Sequence, residues 1–110
     1  MVASAYGRLP LNALRVFEAV ATRLSFSEAA EALNVTPAAV SQQIKALEDY
    51  LQIPVLRRSG RKVELTPEGA KLLPGVQSGL DALVAAMRET RMMRASGVIN
   101  ISTLSSLMQK

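Results

Sequence analysis

The chain of 110 residues contains neither cysteine nor histidine. Without cysteine there is no disulfide, no thiolate metal site and no cysteine nucleophile. Without histidine there is no imidazole ligand, no Ser-His-Asp arrangement and no side chain of ordinary pKa near neutrality. The N-terminus also lacks the basic start and apolar run of a signal peptide, and no stretch approaches the length that spans a bilayer. These absences predict a cytoplasmic protein with no membrane association, no metal and no cofactor. They also argue against an enzyme: the carboxylates are scattered over helix surfaces, and Ser59-Gly60 lacks the flanking pattern and the base that a nucleophilic serine needs.

The remaining composition is 49% hydrophobic, enough for one domain with a modest core. A net charge of +4 and a pI near 10.0 point to an acidic partner. No internal repeat or low-complexity segment is evident.

The segment Ser25 to Leu51, SFSEAAEALNVTPAAVSQQIKALEDYL, has the form of two short helices joined by a tight turn. Ala30 is the small residue wanted at the helix crossing, Asn34 tolerates left-handed dihedrals in the turn, and Val40 is the apolar residue that locks the second helix onto the first. Two starts fit the first of these helices: Ser25, in a capping box with Glu28, or Ser27, and the sequence leaves both open. The second helix begins clearly, with Thr36 as N-cap and Pro37 where a missing N–H costs nothing. Val40, Ile44, Leu47 and Leu51 line its buried face. The other face carries Pro37, Ala38, Ser41, Gln42 and Lys45. Small residues there allow close approach to a DNA major groove, and a glutamine amide can pair with an adenine edge.

Before this pair, residues 1–10 read as a flexible lead-in. Leu11 to Arg23 reads as a helix with an apolar stripe on Leu11, Leu14, Phe17, Val20 or Ala21, and Leu24, and with Asn12 near its start. After it, Pro54 ends the second helix of the pair. Val55 to Arg57 and Lys62 to Leu65 then form a hairpin around Arg58-Ser59-Gly60-Arg61. Arg57, Arg58, Arg61 and Lys62 have no acidic residue among them, the composition of a wing that grips phosphates. If Ser27 is a helix cap, its hydroxyl and the free N–H groups beside it could bind phosphate too.

Thr66-Pro67-Glu68 starts a long helix. Its apolar residues Leu73, Val76, Leu80, Leu83 and Met87 follow a heptad, a period that favours the same helix of a second subunit. Ala82, Ala85 and Ala86 permit close approach, whereas Pro74, Gly75 and Gly79 weaken or kink the early part. Arg88, Arg91 and Arg94 suit its negative pole, and Ser96-Gly97 stops it. Val98 to Leu104 alternates like a strand without a partner, as if another domain were beginning.

The ordered set LNALRVFEAVA, SFSEAAEALNVTPAAVSQQIKALEDYL, VLRRSGRKVELTPEGAKLLP and GVINISTL resembles the LysR-type transcriptional regulators over about residues 9–104. Within that family it is most similar to the branch of glycine-cleavage activators and β-lactamase regulators, through its LPLNALRVFE, AAVSxQIKALE and LLP segments. The resemblance implies a mainly α fold: a winged helix-turn-helix DNA-binding domain over residues 11–65 with a two-stranded β wing, then a long dimerisation helix over 66–95. Residues 96–110 would open an effector-binding domain whose remainder is absent. Carried over by position, base-reading residues fall on Pro37, Ala38, Ser41 and Gln42, and phosphate contacts on Ser27, Thr36, Lys45, Arg58 and Arg61. Where many members have Arg this chain has Gln42, which suggests adenine readout or a water-bridged contact; Leu56 stands where Phe is common, a packing change. The implied partners are double-stranded DNA, a second copy of the chain (a tetramer in the intact protein), and a small-molecule inducer acting only through the missing domain. A winged helix whose exposed face binds another protein is the competing expectation.

Overall fold

Each helix of the N-terminal part starts and stops on a local signal. The computed structural model describes residues 6–60 and 62–96. Tyr6 and Gly7 are helical, with the Leu9 N–H donating to the Tyr6 carbonyl at 3.2 Å. Helix α1 is Leu11–Arg23, α2 is Phe26–Leu33 and α3 is Pro37–Leu51. An antiparallel pair follows, β1 at Leu56–Ser59 and β2 at Lys62–Leu65, and then α4 at Pro67–Ser96. The fold is the expected winged helix-turn-helix followed by a long helix.

Ser25 settles the start of α2: its backbone is extended and its hydroxyl accepts the Glu28 N–H at 3.1 Å, leaving Ser27 inside the first turn. Thr36 caps α3 in the same way through the Ala39 N–H, also at 3.1 Å, with Pro37 at the first position. Asn12 does not cap α1; the residue before the helix is Pro10, which offers no side-chain cap, and the Asn12 side-chain Oδ1 accepts from the Arg15 guanidinium instead. All three helices end on a left-handed residue other than glycine: Leu24 (φ 52°), Asn34 (φ 59°) and Gln52 (φ 60°). That conformation turns the chain sharply and satisfies terminal carbonyls, as where the Val35 N–H donates to Ala30 at 3.0 Å.

The three helices pack on one another in every pairing, around Phe17, Val20, Ala29, Val40 and Leu47, none more than 1% exposed. The stripe of α1 is broader and shorter than its spacing implies. Ala13, Val16, Ala19 and both Val20 and Ala21 are buried, whereas Leu11 and Leu24 at its ends are exposed. Leu24 has left the helix by then, and its left-handed turn carries the side chain off the buried face.

The strand pair differs from expectation at its start, which falls at Leu56 instead of Val55, and it runs to Ser59, leaving a two-residue connection at Gly60 and Arg61. Val55 continues the register opposite Thr66 but falls short of a full ladder position, because its N–H is turned to another partner while its carbonyl still accepts from Thr66. Its N–H donates to the Glu48 carboxylate at 2.8 Å, where the Leu56 N–H also donates at 3.2 Å, and its carbonyl accepts the Thr66 N–H. Buried Thr66 completes this joint: its hydroxyl donates to the Pro54 carbonyl at 2.8 Å and accepts the Gly69 N–H at 3.0 Å. Arg61 lies outside the described residues, as do residues 97–110 with the expected strand Val98 to Leu104.

The chain divides into two units between Gln77 and Ser78, within α4. The helix is continuous past Pro74, Gly75 and Gly79 to Ser96.

Gly69 and Gly75 provide a contrasting pair for testing this joint. A Cβ on Gly69 would overlap the Val55 carbonyl oxygen, whereas one on Gly75 meets nothing. Gly69→Ala should therefore lower stability by about 1–3 kcal/mol. Gly75→Ala should raise it by up to about 1 kcal/mol through helix propensity. Urea denaturation of both variants measures the difference, and equal effects would contradict the packing of Gly69 against the strand.

Candidate nucleic-acid interface

The residues of the predicted binding face are exposed because the other side of α3 is buried. Val40, Ile44 and Leu47 face the core and Leu51 is half-buried, while Pro37, Ala38, Ser41, Gln42 and Lys45 all lie on the surface. Small and polar side chains at the N-terminal end of α3 thus meet solvent without a bulky neighbour on the same helix face.

Beside that face runs an open cleft of about 550 Å³, lined by Ser25, Phe26 and Ser27 from the start of α2, Pro37, Ala38 and Ser41 from α3, and Arg58, Gly60, Lys62 and Val63 from the hairpin. The cleft therefore gathers six of the residues singled out from sequence: Ser27, Pro37, Ala38, Ser41, Arg58 and Lys62. Thr36, Gln42, Lys45 and Arg57 are exposed but do not line it. Thr36 keeps its hydroxyl hydrogen for a further partner, since its oxygen acts as acceptor in the cap.

The strand register separates the wing cations. Arg57 pairs with Glu64 across the ladder, and their side chains form an ion pair at 3.9 Å. Arg57 therefore has an acid opposite it, which the local run of cations does not reveal. Arg58, opposite Val63, alternates onto the other face and sets its guanidinium 4.2 Å above the centre of the Phe26 ring. Gly60 turns the hairpin with φ +65°, a backbone conformation that suits glycine. Among the described residues no group of three or more acidic side chains could hold a metal ion, and no helix is long and apolar enough to cross a membrane.

Sequence spacing did not single out Phe26 or Val63 as cleft residues. An aromatic residue between two serines in an otherwise polar first turn was the available signal for Phe26.

The heptad row on α4 falls in both units. In the first, Leu73 is half-buried and Val76 is already buried within the single chain. In the second, Leu80 is half-buried, while Leu83 and Met87 are 49% and 67% exposed.

A capped two-helix pair, its partner helix α1 and a basic two-stranded wing define a winged helix-turn-helix protein. Residues 11–70 match the model of the bacterial regulatory helix-turn-helix proteins of the lysR family, and the chain belongs to that family. Over 97 residues it is 46% identical to the glycine cleavage system transcriptional activator of Escherichia coli (strain K12), covering 88% of this chain and 32% of that protein. It is 40% identical over 99 residues to a carbapenem-hydrolyzing β-lactamase transcriptional activator of Enterobacter cloacae, covering 90% of this chain and 34% of the relative. The chain thus spans about a third of the length of these relatives. Among solved structures, the BenM DNA-binding domain in complex with catB site 1 DNA superposes with a TM-score of 0.72 at 33% identity, over 76% of this chain and 94% of that one. The DNA complex of the CbnR DNA-binding domain gives 0.68 at 30% identity, over 76% of this chain and 97% of that one.

The cap on α3 can be tested apart from any ligand. Thr36→Ser should leave stability nearly unchanged, and Thr36→Val should cost about 1 kcal/mol through the lost N-cap. Chemical denaturation checks the pair; a Thr36→Val protein as stable as the parent would show that the hydroxyl is not holding the helix start.

Proposed function

We propose that this chain is the DNA-binding part of a LysR-type transcriptional regulator, and that two copies joined through α4 set their α3 helices into successive major grooves of an imperfect inverted repeat. The observation that carries this reading is the cleft, which collects hydroxyls and cations beside the exposed N-terminal end of α3. In this role Pro37, Ala38, Ser41 and Gln42 meet base edges. Ser27, Thr36, Lys45, Arg58, Arg61 and Lys62 meet phosphates, and Arg57 does so at the expense of its pair with Glu64. The DNA complexes formed by the BenM and CbnR domains support the assignment of duplex DNA as the partner.

The dimer rests on the exposed part of the heptad row, Leu83 and Met87, with Leu80 beside it. A two-fold protein is matched to a two-fold operator. In an intact protein a further domain would receive the inducer and complete a tetramer.

Affinity should fall steeply with salt, because each neutralised phosphate releases counterions. Arg58→Ala should weaken binding to all duplexes alike and lower the salt slope by about one unit. Gln42→Ala should chiefly relax preference among sequences selected from genomic fragments. Fluorescence anisotropy against selected and scrambled duplexes measures both; no change with either variant would show that the contact surface is assigned wrongly.

A double substitution, Leu83→Glu with Met87→Glu, should give monomers in analytical ultracentrifugation while leaving the helical circular dichroism of the fold. A dimer of undiminished affinity would contradict the role given to this row.

A further inference from the structure

We propose that Phe26 is a positioning residue for DNA binding: its ring holds the Arg58 guanidinium in the cleft so that the charged edges stay aimed at a phosphate. The proposal rests on the DNA-binding reading above and deepens it, since no family motif used there assigns Phe26 a part.

The two arginines of β1 have opposite partners. Arg57 has the Glu64 carboxylate beside it at 3.9 Å in a solvent-exposed pair, so an acid offsets part of its charge. Arg58 lies over the Phe26 ring at 4.2 Å, a partner that attracts the cation without neutralising it. The N–H donors of a guanidinium all lie in its plane, and an aromatic ring does not take them up as a carboxylate does. An arginine held this way keeps its donors free, whereas a free arginine side chain loses considerable rotamer freedom when it binds.

The position of the ring supports the same role. Phe26 is the first residue of α2, directly after the capping Ser25 and before Ser27, and it remains only half-buried in a cleft that it shares with the small apolar residues Pro37, Ala38 and Val63 and with hydroxyls and cations. A large aromatic side chain left open beside polar groups is ill-explained as core filling. As a platform that joins the start of α2 to the wing, it places Arg58 in the same cleft as the Ser25 and Ser27 hydroxyls, which stand 3.2 Å apart. An anionic oxygen entering there would meet cation and hydroxyls together.

The test is a double-mutant cycle on binding to a mixed-sequence duplex, where phosphate contact dominates. Phe26→Leu should weaken binding by about two- to fivefold at fixed salt, the range of an exposed cation–π contact, and Phe26→Tyr should restore it. In an Arg58→Ala background Phe26→Leu should have no further effect on binding, even if it lowers the melting temperature equally in both backgrounds. In the free protein, the Arg58 side-chain proton resonances should show a ring-current shift that disappears in Phe26→Leu. If Arg58→Ala weakens binding but Phe26→Leu does not, or if the two losses simply add, the positioning role is overturned while the DNA-binding reading stands. If Arg58→Ala itself leaves binding unchanged, the phosphate role of Arg58 falls and the proposal with it.

Discussion

Burial of one face of α3 is the constraint on which the rest of the structure depends. Val40, Ile44 and Leu47 are each at most 4% exposed, so rotating this helix would bring apolar side chains into water and polar ones into the core. The helix therefore has one admissible orientation about its own axis, and that orientation turns Pro37, Ala38, Ser41, Gln42 and Lys45 outward. The Thr36 cap and Pro37 fix where this outward face begins. A surface suited to a groove thus follows from the same residues that make the core.

The wing is held by a second, smaller set of interactions. Glu48 reaches from α3 to the N–H groups of Val55 and Leu56, and Thr66 ties the start of α4 back to Pro54. Hydrogen bonds to a charged carboxylate are among the stronger ones in a folded chain. Through these bonds the hairpin is referenced to both flanking helices. The alternation of β1 then divides its cations: Arg57 faces an acid, and Arg58 faces an aromatic ring in the cleft.

Much of this fold was legible because its signals are local. Caps at Thr36 and at either Ser25 or Ser27, proline at Pro37 and Pro67, and apolar spacing along α1 and α3 each act within one or two helical turns. Asn34 was readable as a left-handed position because asparagine tolerates it, but Leu24 and Gln52 adopt similar dihedrals without that residue preference, under the demand of the helix ends that they close. The delayed start of β1 was not legible for a related reason. It depends on Glu48 reaching from α3 to the Val55 N–H, and spacing in the sequence gives no sign of that. Within the candidate binding face, the outward residues of α3 could be read from periodicity. The pairing of Arg57 with Glu64 needed the strand register, and the stacking of Arg58 on Phe26 needed the tertiary fold.

If the start of α3, and not its flank, meets duplex DNA as proposed, the two faces of the helix should differ in their protection by DNA. The absence of cysteine makes this directly measurable, because a single introduced thiol is the only one in the chain. Ser41→Cys places it on the outward face, and Tyr50→Cys places it at an exposed position on the flank turned away from Ser41, near the other end of the helix. With a saturating duplex, alkylation at position 41 should slow by at least about tenfold, as expected for a thiol withdrawn from solvent, while alkylation at position 50 proceeds unchanged. Equal reactivity at position 41 with and without DNA, under conditions where binding is complete, would contradict the account.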